Sequence, residues 1–262
     1  MAAAASLPAG YRRIAFDRVA STNDEARRLA EAGASEGLVV TGVQQTAGRG
    51  RQGKAWVSPP GNVYASILLR PACPAARAAE LVFVAGVAAC DALKTLVPGE
   101  APPRCKWPND LMIRGRKVGG ILAEASTDPA GICEFVVLGI GINVAHHPPE
   151  MAWPATSLVA SGAEGAGAGG AAAGTADAEG VLERLVASWD EWHRRWRADG
   201  FVPVRAAWLE RAFALGQTIQ LSHDRGARRG RFLGLDASGA LVLETIAGKR
   251  ETHHFGDLTA TE

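Results

Sequence analysis

The chain has few cysteines and almost no net charge. Its four cysteines, Cys73, Cys90, Cys105 and Cys133, share no C-x-x-C spacing. That argues against a thiolate metal site and, in 262 residues, against a disulfide framework. They are expected as buried free thiols in a reducing compartment. Lys and Arg number 28 and Asp and Glu 27, a net charge of +1, so nothing in bulk draws the chain to nucleic acid or membranes. Any anion recognition must be local. No run approaches the ~20 apolar residues of a membrane span, and the start, Met1 to Pro8, lacks a signal peptide's basic flank and apolar core. A cytoplasmic protein is expected. G-x-S-x-G, H-E-x-x-H, Gly-Lys-Ser/Thr and a Cys/His nucleophile pair are also missing, which leaves hydrolase and Walker-loop chemistry without support.

What is present reads as a folded globular protein: 47% apolar and 21% charged residues. The length suits one large domain plus a small one, or two of medium size. Tyr11–Val19 is predicted as a strand. A helix follows to Gly33, started by the capping box Thr22-x-x-Glu25. Strands are expected at Leu38–Val43 and Val63–Leu69, and a buried helix at Glu80–Leu96. Leu111–Ile113 and Lys117–Ala125 read as a hairpin about Arg114-Gly115-Arg116, and Glu134–Val144 as another strand. Residues 161–176 hold six Gly and seven Ala with one charge, and are expected as a flexible surface insertion. Asp177 should cap a helix whose Trp189, Trp192 and Trp196 form a core stripe, and Val204–Ala214 a shorter one. From Gln217 onward, short strands separated by turn residues suit a small β-barrel of about five strands.

One polar stretch stands out. Gly48-Arg49-Gly50-Arg51-Gln52-Gly53 sets three glycines and two arginines in six residues after an apolar strand. Glycine lets backbone approach a ligand closely, and arginine offers a planar fork of donors to phosphate or carboxylate. The spelling matches the dinucleotide fingerprint G-x-G-x-x-G. Lys54-Ala55-Trp56-Val57-Ser58-Pro59-Pro60-Gly61 cannot supply the helix that fingerprint needs, so a dinucleotide site is set aside. A mobile loop closing over an anion is the expectation. Lys106-Trp107-Pro108-Asn109-Asp110 places a cation, an amide and a carboxylate together, a set that can hold a phosphate and its Mg²⁺. Lys117 beside Gly119-Gly120 adds a cation, though alone it reads as a solvated strand residue. Asn143 ends an apolar strand and must meet either a ligand or a backbone edge. Ser21-Thr22-Asn23 is either a helix cap alone or a set of partners for a small polar ligand. His146-His147 and His253-His254 are expected on the surface. Cations and glycine loops without a side-chain nucleophile favour joining two substrates by positioning and charge stabilisation.

At these residues the sequence resembles the biotin–protein ligases. The likeness runs in order through Ser21-Thr22-Asn23, Gln45 with Gly48–Gly53, Lys106–Asp110, Arg116-Lys117 to Glu124, and Gly139-Ile140-Gly141-Ile142-Asn143. It implies an α/β (α+β) fold: a mixed-sheet, class II synthetase-like biotin/lipoate ligase catalytic domain over 1–214, then an SH3-like barrel over 215–262. It implies an ATP-dependent, AMP-forming enzyme that makes biotinyl-5′-AMP and passes biotin to a lysine of the carrier protein of acetyl-CoA carboxylase. By the same resemblance Lys117, Arg51 and Lys106 are catalytic. Ser21, Thr22, Asn23, Gln45, Arg49, Gly50, Arg51 and Lys117 hold biotin. Arg49, Arg51, Lys106, Asn109, Asp110 and Asn143 line the adenylate, with Mg²⁺ arriving with ATP near Asn109 and Asp110. No permanently bound cofactor is implied, and a homodimer is open. The segment His146–Leu158 folds over the adenine in the family, which makes Trp153 a candidate cover. About ten residues precede the first strand, too few for the DNA-binding domain some members carry, so no DNA partner is expected. Two other readings stay open: a lipoate or octanoate transferase on the same fold, and a nucleic-acid-binding module using the basic run Arg225–Arg231.

Overall fold

The computed structural model describes residues 6–97, 99, 101–149, 153–162, 177–223 and 226–260. Beyond residue 162 the Ala/Gly stretch lies outside the described residues, as does Arg225 of the basic run. In chain order the elements are β1 (Arg12–Val19), α1 (Thr22–Glu31), β2 (Leu38–Gln45), β3 (Val63–Leu69), α2 (Ala75–Ala78) and α3 (Leu81–Lys94). Then come β4 (Arg104–Lys106), β5 (Asp110–Ile113), β6 (Arg116–Thr127), β7 (Cys133–Ile142), α4 (Ala178–Asp199) and α5 (Phe201–Glu210). Five strands follow, β8 (Thr218–His223), β9 (Gly226–Leu235), β10 (Leu241–Thr245), β11 (Arg250–His253) and β12 (Asp257–Ala260).

The first seven strands form one mixed sheet in the order β1-β2-β3-β7-β6-β5-β4. Only β1 and β2 are parallel, joined by the α1 crossover; the other pairs are antiparallel. Alternation along the strands divides the apolar residues between two faces. Val39, Ile67, Leu69, Val136 and Leu138 join the large core built with α3, α4 and α5. Their neighbours Val40, Leu68, Phe135 and Val137 pack with Ala26 and Ala30 of α1. With both faces covered, β3 is buried at every position, and a strand of that kind reads as a continuous apolar run. The tryptophan stripe of α4 is core: Trp189, Trp192 and Trp196 are all buried. All four cysteines are buried free thiols.

The last five strands make an antiparallel sheet in the order β11-β10-β9-β8-β12, the strand number expected of the small barrel. It is seated on the first sheet's core. Trp107 donates its indole N–H to Gly239 O at 3.2 Å. A Cβ on Gly239 would reach within 2.7 Å of the Phe83 ring, and Phe83 stacks edge-on against Phe201 and Trp208.

Two expectations need correction. The cap of α1 is Ser21, not Thr22. Ser21 Oγ accepts from the Asp24 N–H at 3.3 Å, because Thr22 is already committed elsewhere. His253 is not a surface residue: its side chain is 14% exposed and lies 3.8 Å from Glu251.

Candidate functional site

The face of the mixed sheet that carries α1 is only partly covered by it. Register shows what lies beyond. Ser66, Gly139 and Leu122 stand in one cross-strand row, and Tyr64, Gly141, Gly120 and Asp110 in the next. Three glycines on one face remove the side chains that would fill it. A cavity of about 300 Å³ opens there. Space explains the glycines. A Cβ on Gly141 would stand 2.8 Å from the Trp56 ring, and one on Gly139 2.9 Å from Asn23 Cγ, closer still to its Oδ1.

A neutral polar group at the N-terminus of α1 forms one wall. Gln45 Oε1 accepts from the Thr22 N–H at 2.9 Å, with Thr22 Oγ1 3.1 Å away. Gln45 Nε2 donates to Ser58 Oγ at 3.0 Å. Ser66 Oγ lies 2.8 Å from Thr22 Oγ1 and donates to Asn23 Oδ1 at 2.6 Å. Asn23 Nδ2 in turn donates to Glu124 Oε2 at 2.7 Å. Ser21, Thr22, Asn23 and Ser66 are all buried. A chain of buried polar groups that satisfy one another holds each side chain in a single rotamer.

Ions form the other wall. Asp110 sits between two ammoniums, Lys117 Nζ at 2.5 Å and Lys106 Nζ at 3.3 Å. Burial pulls the Lys106 pKa below its ordinary value, against the opposing pull of Asp110. Its ammonium also lies 4.4 Å from the Trp153 ring. Asn109 Nδ2 donates to Ile121 O at 2.7 Å, which leaves its carbonyl free to accept from Arg51 Nη1 at 3.2 Å.

The arginine loop closes over this wall. Gly50 N–H donates to Lys54 O at 2.7 Å and Trp56 N–H to Gly48 O at 2.9 Å, folding the loop back on itself around a tight turn at Arg51–Gly53. No helix follows Gly53 within this loop, as its residues require. Arg49 grips Asp24 with both guanidinium nitrogens, at 2.5 and 2.6 Å. That fork holds the Asp24 carboxyl below the usual carboxylate range and raises the arginine's own pKa.

Ser21, Thr22, Asn23, Gln45, Arg49, Gly50, Arg51, Lys106, Asn109, Asp110 and Lys117 thus meet in one cavity. Asn143 does not line it. The Asn143 amide, 3% exposed, donates to Thr156 O at 3.0 Å, so it serves the backbone edge, one of the two options open for it. Four contributors escaped sequence reasoning. Ser66 was detectable as a serine set between Ala65 and Ile67 in an otherwise apolar strand. Trp56 was detectable as the aromatic just past the glycine loop. Its indole nitrogen is buried without a hydrogen-bond partner among the described residues, an orphan donor in the cavity wall. Glu124 and Asp257 gave no local signal of a role.

Comparison with known proteins follows the same lines. Residues 15–143 match the family described as "Biotin/lipoate A/B protein ligase family". The chain is 38% identical over 233 residues to a biotin--[acetyl-CoA-carboxylase] ligase of Paracoccus denitrificans, covering 89% of this chain and 94% of that one. It is 31% identical to the bifunctional ligase/repressor BirA of Bacillus subtilis, covering 93% of this chain and 73% of the relative. The biotin protein ligase of Aquifex aeolicus, solved in complex with biotin and ATP, superposes with a TM-score of 0.77 at 27% identity. That match covers 96% of this chain and 99% of the other.

Proposed function

The chain belongs to the biotin/lipoate A/B protein ligase family, and on that premise we propose that it activates biotin with ATP and passes it to a carrier protein. The acceptor is a lysine of the biotin carboxyl carrier protein of acetyl-CoA carboxylase. The observation that carries this reading is the row Tyr64, Gly141, Gly120, Asp110. Its glycines let Trp56 lie close against the floor of the cavity, and the row ends at a carboxylate held between two ammoniums.

In the first step a biotin carboxylate oxygen attacks the α-phosphorus of ATP, and the bond to the pyrophosphate oxygen breaks. Two anions must meet, and charge builds on the phosphate oxygens as they do. Fixed cations stabilise that charge more than they stabilise the ground state. Lys117 and Lys106 are oriented in advance by Asp110, and Arg51 by Asn109, so little reorganisation is needed. Ser21, Thr22, Asn23 and Gln45 offer the biotin ring system donors and acceptors already fixed: Ser21 by the Asp24 N–H, Gln45 by Thr22 and Ser58, and Thr22 and Asn23 by Ser66, with Glu124 also holding Asn23. In the second step a neutral lysine amine attacks the acyl carbon. AMP leaves with the bonding pair, and the amine proton goes to solvent.

Among the described residues no three His, Cys, Asp or Glu side chains cluster as metal ligands. One carboxylate and one amide, Asp110 and Asn109, fit a Mg²⁺ whose coordination is mostly phosphate oxygen and water. These two residues would hold the ion, which would neutralise charge on the triphosphate. The small C-terminal barrel, 215–262, closes the cavity beside a catalytic unit of 1–214.

The test is incubation with biotin, ATP and Mg²⁺, then addition of a carrier domain. Pyrophosphate release and one biotinylated lysine by mass spectrometry are expected. Pyrophosphate release with lipoate or octanoate in place of biotin would move the protein to the other branch of its family.

A further inference from the structure

Asp257 opens β12 in the C-terminal sheet, yet its carboxylate faces the arginine loop of the first sheet. Lys54 Nζ lies 2.8 Å from Asp257 Oδ2, and Arg51 Nη1 3.8 Å from Oδ1. Hydrogen bonds tie the cations of the loop to three separate places: Arg49 to Asp24 on α1, Arg51 to Asn109 before β5, and Lys54 to Asp257, which Arg51 also approaches. We propose that Asp257 is a positioning residue that locks the far arm of the arginine loop, so that the C-terminal sheet sets how long the acyl-adenylate is retained. The inference rests on the ligase reading above.

The far arm needs such a tether. Gly53 has a φ of +70° and Gln52 one of +55°, and two backbone bonds span the turn there, Gly50 N–H to Lys54 O at 2.7 Å and Lys54 N–H to Arg51 O at 3.2 Å. Both end on Lys54, so holding Lys54 holds the turn. The anchor is rigid: Leu258, the next residue, is fully buried and pairs in register with Leu221 of β8. The sheet itself is seated through Gly239 on Trp107 and Phe83. Burial works against ionisation of Asp257, but Lys54, Arg51 and Lys106 together outweigh it and its pKa falls below the usual value. The lock therefore stays charged at neutral pH. When an adenylate phosphate draws Arg51 inward, Lys54 remains to neutralise Asp257, and the arm keeps its hold.

The experiment follows adenylate release after a chase from protein charged with biotin, ATP and Mg²⁺. Asp257→Asn should release it about two- to fivefold faster, the range for a partly exposed ion pair. Lys54→Met should match that change, and the double variant should add nothing to either single. Asp257→Glu should restore retention. Salt at 1 M should speed release from the unaltered chain by a larger factor than from Asp257→Asn. Melting temperatures measured alongside separate a lost lock from a lost fold: faster release at an unchanged melting temperature supports the lock. Release at the unaltered rate in both singles, or additive effects in the double, overturns it. If the unaltered chain forms no adenylate, the ligase reading fails and takes this inference with it.

Discussion

Asn23 and Gly139 compete for one space. The Asn23 carboxamide lies where a side chain at position 139 would begin, with its Cγ 2.9 Å from the site of a Cβ. Gly139→Ala should therefore expel Asn23 from its bonds to Ser66 and Glu124. We expect a loss of about 1–3 kcal/mol, the usual cost of overpacking. The KM for biotin should rise several-fold more than the KM for ATP. Steady-state kinetics with each substrate varied in turn, together with melting curves, check both. An equal rise in the two constants would show that Asn23 has no selective part in holding biotin.

Arg51→Gly removes the guanidinium that Asn109 orients and frees the loop. A charged hydrogen bond is worth about 1.5–3 kcal/mol, so adenylate should escape roughly ten- to a hundredfold faster. Escaped mixed anhydride acylates any amine it meets. Biotin on lysines of an added bystander protein, read by mass spectrometry, is the expected result. A bystander that stays unlabelled would remove the clamp from the argument.

Lys117→Ala should impair the first half-reaction. Removing one preorganised charge donor from a phosphoryl-transfer site costs on the order of a hundred- to a thousandfold in rate. Biotin-dependent pyrophosphate release measures this directly. Normal release with a slow second step would transfer the role of Lys117 to aminolysis.

Acid should destabilise the fold through His193. Its ring is stacked between Trp189 and Trp196, at 4.9 and 5.8 Å between centroids, and is 5% exposed. Burial first, and Arg197 next, push its pKa down to about 4 from 6.5, with Asp190 pulling the other way. The unfolded chain therefore takes up this proton first as pH falls. The neutral ring's contribution is whole above 6.5 and is lost as pH falls toward 4, a change on the order of 3 kcal/mol. His193→Phe keeps a stacked ring and cannot titrate. Its melting temperature should fall less steeply than the unaltered chain's between pH 6.5 and 4. Parallel curves would assign the acid sensitivity to carboxylates such as Asp24.

The sequence exposed strands and polar motifs because local pattern creates both. β3 was found at its observed bounds because seven buried residues in a row leave little choice. Lys106, Asn109 and Asp110 were found because their chemistry is dense in a short span, whereas Lys117, a solvated strand residue on its own pattern, was placed by the resemblance. The cap of α1 was misplaced because two boxes overlap, Ser21-x-x-Asp24 and Thr22-x-x-Glu25. The Gln45 and Ser66 side chains, more than twenty and forty residues away, take Thr22 out of contention. Asn143 met a strand edge because the 155–158 segment folds beside it. Asp257 is the extreme case. Nothing near it in the chain hints at Lys54, 203 positions earlier.

A cavity whose wall runs from Ser21 to Thr259 is also a statement about the order of folding. Contacts of such separation bear the largest loop-closure cost and form after local hairpins and helices. Every polar motif of the site lies before Asn143, yet the enclosure is finished only when β12 docks. The seam between the two sheets is continuous core: Ile219, Leu221, Phe232 and Leu258 belong to the same buried cluster as Ile67, Phe83 and Trp208, and Trp107 with Gly239, Arg205 with Leu235 and Lys54 with Asp257 tie it across. Under mild denaturation the C-terminal sheet and the binding site should accordingly be lost together.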